Sequence, residues 1–288
     1  KFNAAVQTHV KSIEYGITPY IESLYSIRGG FDASTFIDRS EFHRLVKRLT
    51  RQYPGIVALE WVPKVPGSER SQLEKQAGFS IVEQNAQGKI IAAQQHDWYY
   101  PILYVEPLKS NLKVLGFNLG SNPRELKAML ESAETNAPSA SQRMKFFQTN
   151  KTSYDFVVAL PVFEQNSPLT TSEQRQSALK GFAVAVLDIG QMVEAILARH
   201  AAIAGLEIEF LDSTPLEGEH LLYVHKPRHA RNSLYNDYFD IQNQYQTNVT
   251  MQFADMQWKI IAKSADSELY PEWSSSNLQL PIAIFILS

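Results

Sequence analysis

Cysteine is absent from the 288 residues. Without a thiol the chain has no disulfide, zinc–thiolate site, iron–sulfur cluster or thiol nucleophile. An excess of positive charge is lacking too. Lys and Arg total 27 against 30 Asp and Glu, a formal net charge of −3, and nucleic-acid binding rests on clustered cations. The short basic stretches, His43–Arg51 and Arg228–Arg231, read as solvated faces. Also missing are Gly-x-Ser-x-Gly, a phosphate loop, His-Glu-x-x-His and a dinucleotide fingerprint. No catalytic residue is therefore expected, and carboxylates such as Glu60, Asp97 and Glu106 have no partner nearby in sequence. Of seven histidines, His220, His225 and His229 lie closest together, but Pro227 spoils a helical ligand pair. Neither a metal nor a cofactor is expected. What remains, 44% apolar and 20% charged residues, is the composition of a folded globular protein with a proper core.

The two ends are informative. Phe2, Val6, Val10, Ile13, Ile17, Tyr20, Leu24 and Ile27 recur every three or four residues, which predicts one long amphipathic helix. It opens without a cap, as if continued from an upstream segment. Pro19 is expected to kink it and Gly29-Gly30 to stop it. At the other end, polar residues 266–279 give way to Leu280-Pro-Ile-Ala-Ile-Phe-Ile-Leu287. This run is far short of the roughly 20 residues that span a bilayer. It reads as the opening turns of a membrane helix, with Trp273 as an interfacial aromatic; a core strand is the alternative.

Between the ends, helix and strand signals alternate. A helix is expected from Ser40, stopped by Tyr53-Pro54-Gly55, then a strand over Ile56–Pro63. A short helix (Ser68–Ala77), a hairpin around residues 85–88, a strand over Tyr99–Val105 and a helix opened by Asn122-Pro123 follow. Tyr154–Phe163 and Lys180–Asp188 are β-rich runs parted by a polar loop, Glu164–Gln176. A helix over Ile189–Ala201 leads into Leu206–Leu211, which alternates with period two. Leu221–Val224, Tyr235–Ile241, Tyr245–Phe253 and Gln257–Ala262 are further strands. The fold class is α+β, a helix leading into an antiparallel sheet twice over.

Three segments carry a resemblance. They are Pro54-Gly-Ile-Val-Ala-Leu-Glu-Trp-Val-Pro-Lys-Val65 with Glu69-Arg70; Tyr100-Pro-Ile-Leu-Tyr-Val-Glu-Pro107 with Asn111, Leu115–Leu119 and Pro123-Arg124; and Ala159-Leu-Pro-Val-Phe163 with Gly181-Phe182. In this order and spacing they resemble the CHASE domain, the extracytoplasmic sensor of histidine kinases and of diguanylate cyclases and phosphodiesterases. The resemblance covers roughly residues 28–190. It implies a stalk helix (1–30), a membrane-distal PAS-like module (31–180), a membrane-proximal PAS-like module (181–270) and a linker (271–288) into a transmembrane helix. It also implies a membrane-anchored receptor, a homodimer through the N-terminal stalk helix, whose apolar stripe suits such pairing, and an unidentified small-molecule ligand in the distal module.

In PAS-like modules the ligand lies over the inner face of the sheet, between apolar walls with a few placed polar groups. The candidate aromatic walls are Trp61, Tyr99, Tyr100, Tyr104, Phe117, Phe147 and Phe182, with Ile102, Leu119 and Leu160 as apolar lining. Asn118 offers a donor and an acceptor; Arg124 offers an anion clamp or, equally, a structural ion pair. Plant members of the family hold cytokinin with an acidic side chain in the segment matching Leu115–Leu119 and a threonine ahead of the third segment's strand. Here Gly116 stands in the first place, or Asn118 if the register slips by two, and Ala159 in the second. A ligand other than cytokinin is expected.

Overall fold

A computed structural model describes residues 2–144, 154–199, 206–215, 218, 220–226 and 246–264. Helix α1 (Phe2–Ala33) carries the apolar repeat, and Val6, Val10, Ile13, Ile17, Tyr20, Leu24 and Ile27 are all buried. The helix continues past Pro19 and past the glycine pair. Gly30 is a close-approach position and not a stop. A Cβ there would come within 2.7 Å of Leu45 Cδ2 on α2 (Arg39–Gln52). Phe31 then extends the buried face and stacks on Trp61 at 4.0 Å. Helix α2 starts at a capping box in which Asp38 Oδ1 accepts from Glu41 N and Glu41 Oε2 accepts from Asp38 N.

The remaining elements follow in chain order. They are β1 (Ile56–Pro63), β2 (Val65–Pro66), α3 (Arg70–Ala77), β3 (Val82–Gln84), β4 (Ile90–Ala92), β5 (Trp98–Tyr99), β6 (Tyr104–Glu106) and α4 (Leu108–Asn111). After them come α5 (Pro123–Thr135), β7 (Ser139–Ala140), β8 (Asp155–Phe163), α6 (Ser172–Ala178), β9 (Leu179–Asp188), α7 (Ile189–Ala198), β10 (Leu206–Asp212), β11 (His220–His225), β12 (Gln246–Phe253) and β13 (Met256–Ser264). The single strand expected over Tyr99–Val105 is broken at Pro101, which has no N–H for a ladder. The polar loop before β9 contains α6, opened by a Thr171–Gln174 capping box. The expected strand at Tyr235–Ile241 and the apolar run at Leu280–Leu287 lie outside the described residues. No helix among the described residues is long and apolar enough to cross a membrane.

Two antiparallel sheets make the fold α+β. The first has the order β6-β1-β9-β8-β7 and the second β11-β10-β13-β12. Strands β8 and β9 are covered on both faces, which explains their nearly unbroken apolar runs. The first sheet keeps its pairing through Asp188. The change from one sheet to the other falls at α7. One core cluster joins α1, α2, α7, one face of the first sheet and the second sheet. In it Trp258 stacks on Phe253 (4.7 Å) and meets Phe156 of β8 edge-on (5.9 Å). The other face of the first sheet carries a separate core beneath α5.

The buried stripe of α1 is thus spent on its own domain. It packs on the first sheet, α7 and the second sheet.

Candidate functional site

Side-chain parity decides which candidates can meet, because successive residues of a strand point to opposite faces. On β1, Ala58, Glu60 and Val62 face the α5 side, whereas Leu59 and Trp61 face the stalk. The pairings Glu60↔Val184, Val62↔Phe182 and Glu60↔Val105 extend the α5-side face across β9 and β6. Val157, Ala159 and Phe163 continue it on β8.

The loop from Tyr100 to Asn122 closes one end of this face. Asn118 is its fastener: buried, it accepts from Tyr100 N through Oδ1 (2.8 Å) and donates its backbone N–H to Val82 O (2.8 Å). Leu119 N donates to Tyr100 O (2.9 Å) and Ile102 N to Phe117 O (3.0 Å). Gly116 has φ +82° and would put a Cβ 2.4 Å from Ser80 O. No side chain fits there, so the glycine is fixed by the turn. Tyr100 and Phe182, rings 5.9 Å apart, form an aromatic wall.

Of the sequence candidates, Tyr100, Ile102, Leu119 and Phe182 come together in this core, with Phe117 partly buried against it and Asn118 holding the loop. Others are placed elsewhere. Trp61 and Leu160 point into the stalk-side core, and Tyr104 packs there against Phe42 (5.7 Å). Tyr99 belongs to a small third cluster with Val65, Ile81 and Ala93. Its hydroxyl donates to Gln94 O (2.7 Å) and accepts from His96 N (3.1 Å) and Arg70 Nη1 (3.2 Å), a structural lock. Arg124 is exposed. Phe147 lies outside the described residues.

Two carboxylates take the polar role on this face. Helix α5 begins at an Asn122 cap with Pro123 in its first turn, and Asn122 Oδ1 accepts from Arg124 N (3.0 Å). That phase turns Arg124 outward and buries Glu125, Ala128, Met129, Ser132 and Ala133. Glu125 is 5% exposed and Glu60 2%. Each has an oxygen, Oε2, that is out of solvent and unpartnered among the described residues. Burial, reinforced by the charge of Glu125, raises the Glu60 carboxyl to about 8. Burial alone raises Glu125 to about 7.

The sequence reading named Glu60 only as a lone acid and passed over Glu125. Parity with Ala58 and Val62, and the four-residue spacing of Glu125 with Met129 and Ala133, were the available signals. Glu106, in contrast, turns to the stalk side and pairs with His43 Nδ1 (2.8 Å).

Several known proteins are similar to this chain. The chain is 23% identical over 193 residues to Histidine kinase 2 of Arabidopsis thaliana, covering 63% of this chain and 16% of that protein. It is 25% identical over 225 residues to Hybrid signal transduction histidine kinase A of Dictyostelium discoideum, covering 73% of this chain and 10% of that protein. It thus spans less than a fifth of either relative's length. Among solved structures, the periplasmic sensory domain of the Campylobacter jejuni chemoreceptor Tlp1 aligns over 95% of both chains, with TM-score 0.48 and 11% identity. An extracellular ligand binding receptor from Desulfohalobium retbaense aligns over 91% of this chain and 40% of that one, with TM-score 0.49 and 12% identity. The family model for the CHASE domain matches residues 35–223, a span that holds the entire first sheet and both carboxylates. The chain belongs to the CHASE domain family, a family of sensor domains.

Proposed function

We propose that this domain is the extracytoplasmic small-molecule sensor of a bacterial transmembrane signalling receptor, a histidine kinase or a diguanylate cyclase or phosphodiesterase. The observation that carries the reading is the α5-side face of the first sheet. There apolar and aromatic residues surround two buried carboxyls, each with one oxygen that has no partner among the described residues. That combination is what a small-ligand site requires. The two curated relatives, both histidine kinases, support the signalling role.

In this reading the first sheet is the membrane-distal module and the second the membrane-proximal one. Two links carry movement of α5 onward. Asn136, in left-handed conformation at the end of α5, accepts from Arg28 Nη1 of the stalk (2.8 Å). Next to it, β7 is held by Asp255 in the turn between β12 and β13, which accepts from Ser139 Oγ (2.5 Å) and Ala140 N (2.7 Å). A receptor homodimer then pairs through the outward face of α1, where Lys11, Tyr15, Glu22 and Tyr25 are exposed. A signal of this kind requires a ligand with different affinity for two arrangements of the receptor.

Mass spectrometry of small molecules that co-purify with the domain, followed by thermal shift with each one found, tests the reading. A bound compound at a hundredfold excess over its Kd stabilises by about 2.7 kcal/mol. Its loss on Phe182→Ala or Tyr100→Ala places it on this face. If no small molecule co-purifies and none from a broad metabolite panel shifts the melting temperature, the domain senses a protein partner instead.

A further inference from the structure

Two buried carboxyls from different elements turn to the same apolar face, and the Oε2 of each has no hydrogen-bond partner among the described residues. Structural acids normally behave otherwise, because a buried carboxylate recruits donors or a cation. The same chain does so elsewhere. Glu83 accepts from Gln94 N and pairs with His96, Glu106 pairs with His43, and Glu194 takes the Tyr223 hydroxyl and His225. Only on the α5-side face is the donor missing from the described residues.

We infer that Glu60 and Glu125 form the anchoring end of a site for a small organic cation, whose ammonium, amidinium or guanidinium group supplies the donors that both carboxylates lack. This names the ligand class for the sensor proposed above and rests on that reading. The walls favour an organic cation over a metal ion. Hard metal ions take six or more oxygen ligands. Here two carboxylates are flanked by Val105, Val184, Phe182 and Tyr100, and Asn118 Oδ1 is committed to Tyr100 N.

The charge balance of the site follows from its neighbours. On the strands, helices and loop around this face, the other titratable groups are Tyr100, whose hydroxyl burial also raises, Asp155, and Arg175 of α6, whose Nη1 donates to Leu169 O and Thr170 O. Asp155 sits four residues along β8 from the Glu60 row, roughly 13 Å away at strand spacing. Glu106 is turned to His43, and Asp188 caps α7 by accepting from Gln191 N. Lys109, Lys113, Arg124 and Lys127 are exposed, and Glu131 pairs with Lys127. Without a ligand burial therefore keeps at least one proton on the pair at neutral pH. Binding is an exchange in which a carboxyl O–H gives its proton to solvent and the resulting carboxylate takes the cation.

The test is calorimetry on the 288-residue chain with three cationic probes, benzamidine, agmatine and phenethylamine. Their uncharged or anionic counterparts are benzamide, phenethyl alcohol and hydrocinnamate. At least one cation is expected to bind, releasing about one proton per molecule near neutral pH, with Kd rising roughly tenfold for each unit the pH is lowered below about 7. Glu60→Gln and Glu60→Gln/Glu125→Gln are expected to weaken that cation at least tenfold and to abolish the proton release. Near pH 5 the variants and the wild type, with its carboxyls protonated, should melt alike, which controls for folding. Binding of the uncharged or anionic compounds with no binding of the cations would overturn the inference while leaving the sensor reading intact. Cation binding that survives the double substitution would overturn it as well. Silence from both panels would remove the inference, and with an empty co-purification result the sensor reading too.

Discussion

Replacing Glu60 with glutamine is expected to change how stability depends on pH, in a direction fixed by the site. Glu60 titrates near 4.5 in an unfolded chain and near 8 in the folded one. Over that interval the folded domain holds a proton that the unfolded chain has released. A group raised in this way contributes its stability in full below its unfolded value, and the contribution is lost as pH climbs through the folded value. Each pH unit within the window costs 1.36 kcal/mol per proton. Raising the pH from about 5 to about 8 therefore removes about 4 kcal/mol from the wild type and nothing from Glu60→Gln at that site. For a domain of this size the difference amounts to roughly 10 °C in melting temperature.

The assay is thermal unfolding of ligand-free wild type and Glu60→Gln side by side from about pH 5 to about pH 8. Glutamine keeps the volume and both hydrogen-bonding ends of the side chain but cannot ionise. The ion pairs His43–Glu106, His96–Glu83 and His225–Glu194 are the same in both proteins and cancel in the difference. The two curves should nearly meet at the acid end and diverge above neutrality, with the variant the more stable. Glu125, raised to about 7 by burial, leaves a smaller slope of the same sign in the variant. Parallel curves would refute the reasoning, for they would mean that Glu60 reaches water or a donor in the folded chain.

Other substitutions separate the roles of neighbouring residues. Gly16→Ala drives a Cβ to within 2.5 Å of Ile196 Cγ2; it should cost about 1–3 kcal/mol in chemical denaturation. Ile196→Ala, which removes the γ carbons that the new Cβ strikes, should then cost less in the same chain than it does alone, a non-additivity that a double-mutant cycle reads directly. Asp255→Ala leaves Ser139 Oγ and Ala140 N without their acceptor; hydrogen exchange at residue 140 should quicken, with a loss of about 1–3 kcal/mol. Ile13→Lys buries an unpaired cation in the stalk-side core and should prevent folding, whereas Tyr15→Lys, at a side 77% exposed, should fold normally and affect only the mass measured for a dimer by light scattering. Trp61→Ala should lower stability by about 3–5 kcal/mol without changing the affinity of any ligand held on the α5 side.

The last contrast shows how far the sequence could be read. Strand β1 and helix α5 were both legible, down to Ile56–Pro63 and the Asn122-Pro123 start, because they rest on short-range chemistry: a proline–glycine stop, a capping asparagine, a proline at the first helical turn. The site was legible only as a supply of aromatic residues, since nothing local says which way a doubly buried strand faces. With apolar residues on both sides of β1, alternation vanishes and Trp61 looks as eligible as any neighbour. Pairing with β9 settles the matter, because Val62↔Phe182 and Glu60↔Val184 place Glu60 and Val62 beneath α5. Pairing across more than a hundred residues is invisible in the sequence. The glutamates were overlooked for a related reason. A single acid in an apolar run reads as a tolerated exception until a second element brings another acid to face it. Arg124 and Glu125 show the same limit on a helix, where one step of about 100° separates an exposed cation from a buried anion. The cap fixes where α5 begins, but only its packing on β8 and β7 decides which of the two adjacent charges the fold takes inside.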